Sequence, residues 1–298
     1  MILPPETLHL PFEDGPHRIA MGLTTAAEAD WFEFDALYPA EMALRRDLLA
    51  SRHAEVFAAL PVSDAARREA WDMMAASLAA HRPDWFALSG GVLANKLLGE
   101  SWNLDDPDRD PLEAAALLVQ EDLCVIQLDG ETPALTAAAL CFPSRWRLSE
   151  KMGLPLGAVH APVPLYADRL ERPVDRFMRH LRPGHIATRL NWSVLDDPTL
   201  FQPTGKWRDD ANTDIHPGNV GDRLFLRVER QSLRRLPASG AVLFGIRVHV
   251  YPLARAIAAP DAARRMAAAL RALPDAIAHY KSMRPIRGAL LGWLEARS

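Results

Sequence analysis

Residues 224–251, LFLRVERQSLRRLPASGAVLFGIRVHVY, decide the fold. In the first half Arg227, Glu229 and Gln231 fall on one side of an extended chain and Leu226, Val228 and Arg230 on the other, the two-residue period of a strand. The second half alternates again, with Leu243, Gly245, Arg247, His249 and Tyr251 against Phe244, Ile246, Val248 and Val250. PASG at 237–240 supplies a turn, so the stretch reads as a β-hairpin. The spacing predicts a face that carries arginines, a glutamate, a glutamine and a histidine. Two explanations fit such a face. In one, Arg227, Glu229, Arg230 and Arg247 form a solvated cross-strand ion-pair lattice of small energetic value. In the other, the face lines a cavity for an anionic or amine-bearing ligand, with arginine giving bidentate contacts to carboxylates.

Working outward, residues 187–194, ATRLNWSV, form a further strand with Arg189, Asn191 and Ser193 on one face, a polar set like that of the hairpin. Residues 123–128 and 135–142 make an earlier hairpin around Asp129-Gly130. A helix over 168–181 joins the two halves, and 196–220 is a long loop holding Trp207 and His216, of the kind that is often functional. Before the strands, 1–23 is a proline-rich arm. Helical spacing follows from 24 to about 80, with Thr25 as a cap, Met42, Arg45, Leu48 and Leu49 on one side of 40–60, and a third helix from Ser63. Residues 85–100 read as a shorter helix, and the acid-rich 101–111 as a solvated loop without the ligand spacing of an EF-hand. A helix over 112–121 starts beside Pro111. After the strands come helices over 262–272, 275–281 and 285–295.

Helices, about five strands and then helices again predict a single α+β domain: one antiparallel sheet (core 111–255) between helical flanks at 24–110 and 256–298. The 298 residues, 49% hydrophobic and 24% charged, suit an ordinary globular chain. A net charge of −4 with no separate basic block argues against nucleic acid. Only Cys124 and Cys141 are present, too few for an iron–sulfur cluster or a cysteine-rich zinc site. No dinucleotide or phosphate-loop glycine motif occurs. The N-terminus has no signal-peptide pattern and no run is long enough to cross a bilayer, so the expected location is the cytoplasm.

Residues 142–166 combine Arg145, Trp146, Arg147 and Lys151 with His160 in VHAPVP. Pro162 stiffens the backbone after His160, which suits an imidazole held for a metal or haem iron. A buried histidine bonded to the backbone is the plainer alternative.

These motifs carry a resemblance. FPSRW with EKMG and VHAPVP, the RLNW step at 189–192, RVERQSLRRLP at 227–237 and FGIRVHVYPL at 244–253 occur in the order seen in the haem-dependent oxidative N-demethylases, the haem-subunit family of dimethylamine monooxygenase. The resemblance covers about 110–255 well and the flanks loosely. It implies a PAS-like sheet holding a b-type haem, and oxidation of a methyl group of a small secondary amine by O2 with release of formaldehyde. Residue by residue it makes His160 the haem ligand, and Arg145, Lys151 and Arg189 partners of the haem propionates. Arg227, Glu229 and Gln231 become the substrate-facing wall, with Glu229 taking the ammonium proton. Arg247, like Arg227, is expected beside Glu229 and among the cations available to haem carboxylates. Electrons would come from partner subunits carrying NADPH, FMN and an iron–sulfur cluster. A haem sensor without turnover and a cofactor-free interaction subunit are the competing classes.

Overall fold

The computed structural model describes residues 3–298 apart from Ala211 and Thr213. Its centre is a seven-stranded, wholly antiparallel sheet. In chain order the ten strands are β1 (Thr24–Ala26), β2 (Phe57–Ala59), β3 (Phe86–Ser89), β4 (Val92–Asn95), β5 (Glu100–Asn103), β6 (Glu121–Gln127), β7 (Ala134–Ala139), β8 (Ile186–Leu195), β9 (Phe225–Arg235) and β10 (Val242–Pro252). The large sheet runs β1-β8-β9-β10-β6-β7-β2, and β3, β4 and β5 form a separate meander.

The α+β reading holds, with seven strands in the main sheet where about five were expected. The two extra strands are short edges inside segments whose spacing predicts helix. Thr24–Ala26 pairs with β8, reinforced by Thr24 Oγ1 on Thr188 Oγ1 at 3.0 Å, so Thr25 caps nothing. Phe57–Ala59 pairs with β7, because the helix Tyr38–Ser51 stops before it. The helix expected over 85–100 is the meander instead. Gly90 and Gly91, at φ +57° and +76°, are the paired left-handed residues of a tight hairpin turn between β3 and β4. Other expectations stand: Asp64–His81 buries Ala66, Ala70, Trp71, Met74, Ala75 and Leu78 on one stripe, and Arg284–Glu295 buries Ile286, Leu290, Trp293 and Leu294. Asp110 caps Pro111–Ala116, its Oδ1 accepting from Leu112 N at 2.8 Å.

The hairpin β9–β10 positions everything else. Its register sets Glu229 beside Val248, Gln231 beside Ile246 and Arg227 beside Val250. Arg247 lies beside Arg230, and His249 beside Val228. The charged positions of the two strands therefore occupy opposite faces, which corrects the single charged face that each strand's alternation suggested. One face carries Arg189, Asn191, Glu229 and Gln231 next to apolar Ile246, Val248 and Cys124, and packs on Phe142 and Leu148. The other carries Arg230, Arg247 and His249 between two apolar clusters, one around Trp31 and Trp71 and one around the C-terminal helices.

Candidate functional site

On the first face the focus is Glu229. Gln231 Nε2 donates to its Oε2 at 2.8 Å and Asn191 Nδ2 at 3.3 Å. Burial pushes the Glu229 carboxyl up, but hydrogen bonds from Ser144, Asn191 and Gln231 with the Arg227 charge outweigh it and hold it below the usual carboxylate range. Arg227 acts through Ser144, whose Oγ accepts its Nε at 2.9 Å. The rest of that guanidinium is spent on the backbone: Thr199 O at 3.0 Å, Phe142 O at 2.9 Å and Leu200 O at 3.0 Å. Arg227 is 2% exposed and ties two loops to β9. Four of its five N–H groups are taken up by these contacts, which makes it a structural clasp at the end of the face that carries Glu229 and Gln231.

His160 follows the short helix Leu156–Val159 on the segment covering this face. Its Nδ1 meets Leu156 O at 2.9 Å, a contact that makes Nδ1 the N–H and leaves Nε2 as the lone-pair nitrogen. Its ring stacks on Tyr166 at 4.5 Å and 12°. Burial, helped by the charges of Lys151, Arg189 and Lys206, pushes its pKa down to about 4, so the imidazole is neutral at neutral pH. The backbone-bonded histidine and the metal-binding histidine are thus compatible, through different nitrogens.

Around Glu229 and His160 stand more cations than a single carboxylate needs. The Arg189 side chain makes no hydrogen bond among the described residues, and its Nε is buried and unpartnered. Lys281 Nζ donates to Asn191 Oδ1 at 2.9 Å and to Trp192 O. Lys206 Nζ donates to Tyr280 OH at 3.1 Å. Burial lowers both lysines to about 8. Lys151 binds Val159 O at the His160 turn. The Tyr166 hydroxyl is likewise buried without a partner. Four of the five non-glycine residues with positive φ among those described, Arg145, Leu165, Trp207 and Ser282, lie in the loops and turns near these side chains in sequence. Such conformations persist where the surrounding structure over-determines them.

Two expected cofactor partners are engaged with other groups. Arg145 pairs with Asp196 at 3.4 Å and Gln202 Oε1 at 3.3 Å, and so holds the 196–208 loop. Arg247 points through the opposite face, 0% exposed, to Asp35 at 2.6 Å and Glu41 at 2.9 Å. It is not beside Glu229. His216 accepts from Gly218 N at 3.2 Å within its own turn. Lys206, Lys281, Tyr166 and Tyr280 escape sequence reasoning. Only Tyr166 had a signal, standing six residues after His160 in the same motif. A cleft of about 570 Å³ beside β5 is lined by Arg46, Trp71, Trp102 and Arg109 and shares none of these residues.

A neutral imidazole with a free lone pair, an unpaired guanidinium, two lysines and an unsatisfied phenol fit a metal-bearing cofactor with carboxylate arms. The fold and site thus define an α+β protein whose antiparallel sheet carries, on one face, a cluster of cationic side chains beside a buried, neutral histidine. The family model described as haem-dependent oxidative N-demethylase, alpha subunit-like, matches residues 22–291. The chain belongs to that family.

Proposed function

We propose that the protein is a haem-dependent oxygenase that removes a methyl group from a small secondary amine of the dimethylamine kind. It uses O2 and takes electrons from cytoplasmic partner subunits that carry NADPH, FMN and an iron–sulfur cluster. We read the seven-stranded sheet as PAS-like, with the cofactor lying against Glu229 and Gln231. One observation carries the reading: a neutral His160, Nδ1 bound to Leu156 O, lies near the unpaired Arg189 and Lys206, with Lys281 close to Arg189 and Lys206. His160 would hold the iron through Nε2. Arg189, Lys206 and Lys281 would neutralise the propionates, with Lys151 closing the turn. A bound haem would supply the activation of O2.

This chain's residues do the rest. A secondary amine is cationic at neutral pH. The ionised Glu229 attracts it and can accept its proton at a carboxylate oxygen. Gln231 and Asn191 fix the carboxylate's orientation, and the Ser144 hydrogen bond and the Arg227 charge keep it ionised.

The test is spectroscopic. Wild type given haem should show a Soret band, His216→Ala should keep it, and His160→Ala should lose it. Dithionite-reduced, haem-loaded wild type mixed with air and dimethylamine should release formaldehyde. A normal spectrum in His160→Ala would remove the ligand assignment, and haem-loaded protein that forms no formaldehyde would remove the oxygenase.

A further inference from the structure

The opposite face of the sheet carries a second buried set of ligating side chains that the haem reading does not use. His249 of β10 is 1% exposed. Its Nε2 lies 2.9 Å from Glu33 Oε2, and the same oxygen receives His9 Nε2 at 3.0 Å. The other nitrogen, His249 Nδ1, is buried and has no hydrogen-bond partner among the described residues. Glu6 Oε1 is buried and unpartnered as well, and the two atoms stand 3.9 Å apart. That is too long for a hydrogen bond. It is within the reach of two ligands of one ion, since zinc–nitrogen and zinc–oxygen distances of about 2.0–2.2 Å let such a pair stand up to about 4 Å apart and close to about 3.4 Å around a tetrahedral ion. Asp35 completes the set, with one ligand atom from each of Glu6, Asp35 and His249 within 4.8 Å of the others.

We propose that Glu6, Asp35 and His249 Nδ1 bind one divalent transition-metal ion, Zn2+ foremost, which staples the proline-rich arm to the sheet. The surroundings are those a metal site needs. Glu33 on Nε2 is the carboxylate that orients a ligating imidazole and raises its basicity. Asp35 is held before any ion arrives: Arg247 occupies Oδ2 at 2.6 Å, and Gln120 Nε2 and Leu37 N occupy Oδ1 at 3.0 and 2.8 Å. A carboxylate has about four acceptor directions, so one remains. The arm is already anchored at this point by Tyr251 Oη on Thr7 O and by Arg255 on Glu6.

Charge points the same way. Glu6, Glu33, Asp35, Glu41 and Glu121 meet Arg230, Arg247 and Arg255, five carboxyl groups against three guanidiniums, with burial pushing Glu41 up and Glu121 up to about 7. With neutral imidazoles and all five carboxyls ionised the surplus is two negative charges, which a divalent cation closes while favouring the ionised form of the raised carboxyls. Two imidazolium protons on His9 and His249 would close it equally, and the experiment separates the two.

Full-length protein is stripped with EDTA, incubated with ZnCl2, passed through gel filtration and analysed by mass spectrometry of the elements, which reads zinc apart from haem iron. Wild type should keep a single zinc per chain. Glu33→Gln should weaken zinc affinity by about 10–100-fold. Glu6→Gln should weaken it at least as much, while Glu13→Gln on the same arm leaves it unchanged. Circular dichroism confirms that each variant is folded. If wild type keeps no zinc, protons balance the cluster and the proposal fails. It fails equally if Glu6→Gln binds zinc as wild type does.

Discussion

Glu229 and His160 owe their properties to opposite solutions of the same problem. Both are taken from water, which disfavours charge. Glu229 is kept ionised by three hydrogen-bond donors and an arginine, whereas His160 has cations for neighbours and stays neutral. Glu229→Gln should therefore keep the Soret band and lose about 100-fold or more in kcat/KM for the amine. Steady-state formaldehyde release measures it, and unchanged kinetics would remove Glu229 from the chemistry. The two lysines give a pH signature. Their pKa values of about 8 in the cofactor-free protein would rise beside propionates, so haem affinity should be fullest below pH 8 and fall as the pH climbs from there through the raised values. Haem titrations at increasing pH read this directly. Lys206→Met with Lys281→Met should flatten the profile.

Within the hairpin, two residues do structural work that their side chains conceal. Arg227 looks like a ligand-binding arginine, yet it serves as a clasp between β9 and the carbonyls of Phe142, Thr199 and Leu200. Arg227→Met leaves those buried acceptors without a donor and should cost about 3–5 kcal/mol, the range for breaking a buried charged network. Urea unfolding measures it, and a loss under about 1 kcal/mol would show that water replaces the guanidinium. Gly245, mid-strand in β10, faces Ser232 so closely that an added Cβ would stand 2.7 Å from its Oγ, with Glu121 Cγ at 3.7 Å. Gly245→Val should destabilise by about 1–3 kcal/mol through overpacking. A neutral result in the same urea experiment would mean that the Ser232 rotamer gives way.

Across the whole molecule the sheet separates two polar chemistries. One face holds the cationic cluster around Glu229 and the other the carboxylate-rich cluster around His249, with apolar clusters flanking both. If haem binds only the folded protein at the proposed site, a hundredfold excess over Kd should add about 2.7 kcal/mol to stability. Thermal unfolding with and without haem tests this, and His160→Ala should abolish the shift while keeping the haem-free midpoint.

Much of this is written locally in the chain. Alternation in 224–251 determines both strands, stripes of apolar residues determine the helices from 64 and 284, and the motif around His160 points to a ligating imidazole. Gly90-Gly91 was equally legible as a turn, but the apolar residues around it masked the signal. The edge strands Thr24–Ala26 and Phe57–Ala59 are too short to announce themselves and exist because β8 and β7 offer them partners. The sharing of faces is a tertiary matter. Each strand shows which of its own residues alternate, but only the register of the turn between Arg235 and Val242 sets Glu229 against Val248 rather than Arg247. Side chains alternate with a period of two, so a slip of one residue would have brought Arg247 to Glu229 and sent His249 away from Glu33. Lys206 and Lys281 reach the cationic cluster from a loop and a helix end that no spacing in the sequence connects to β9.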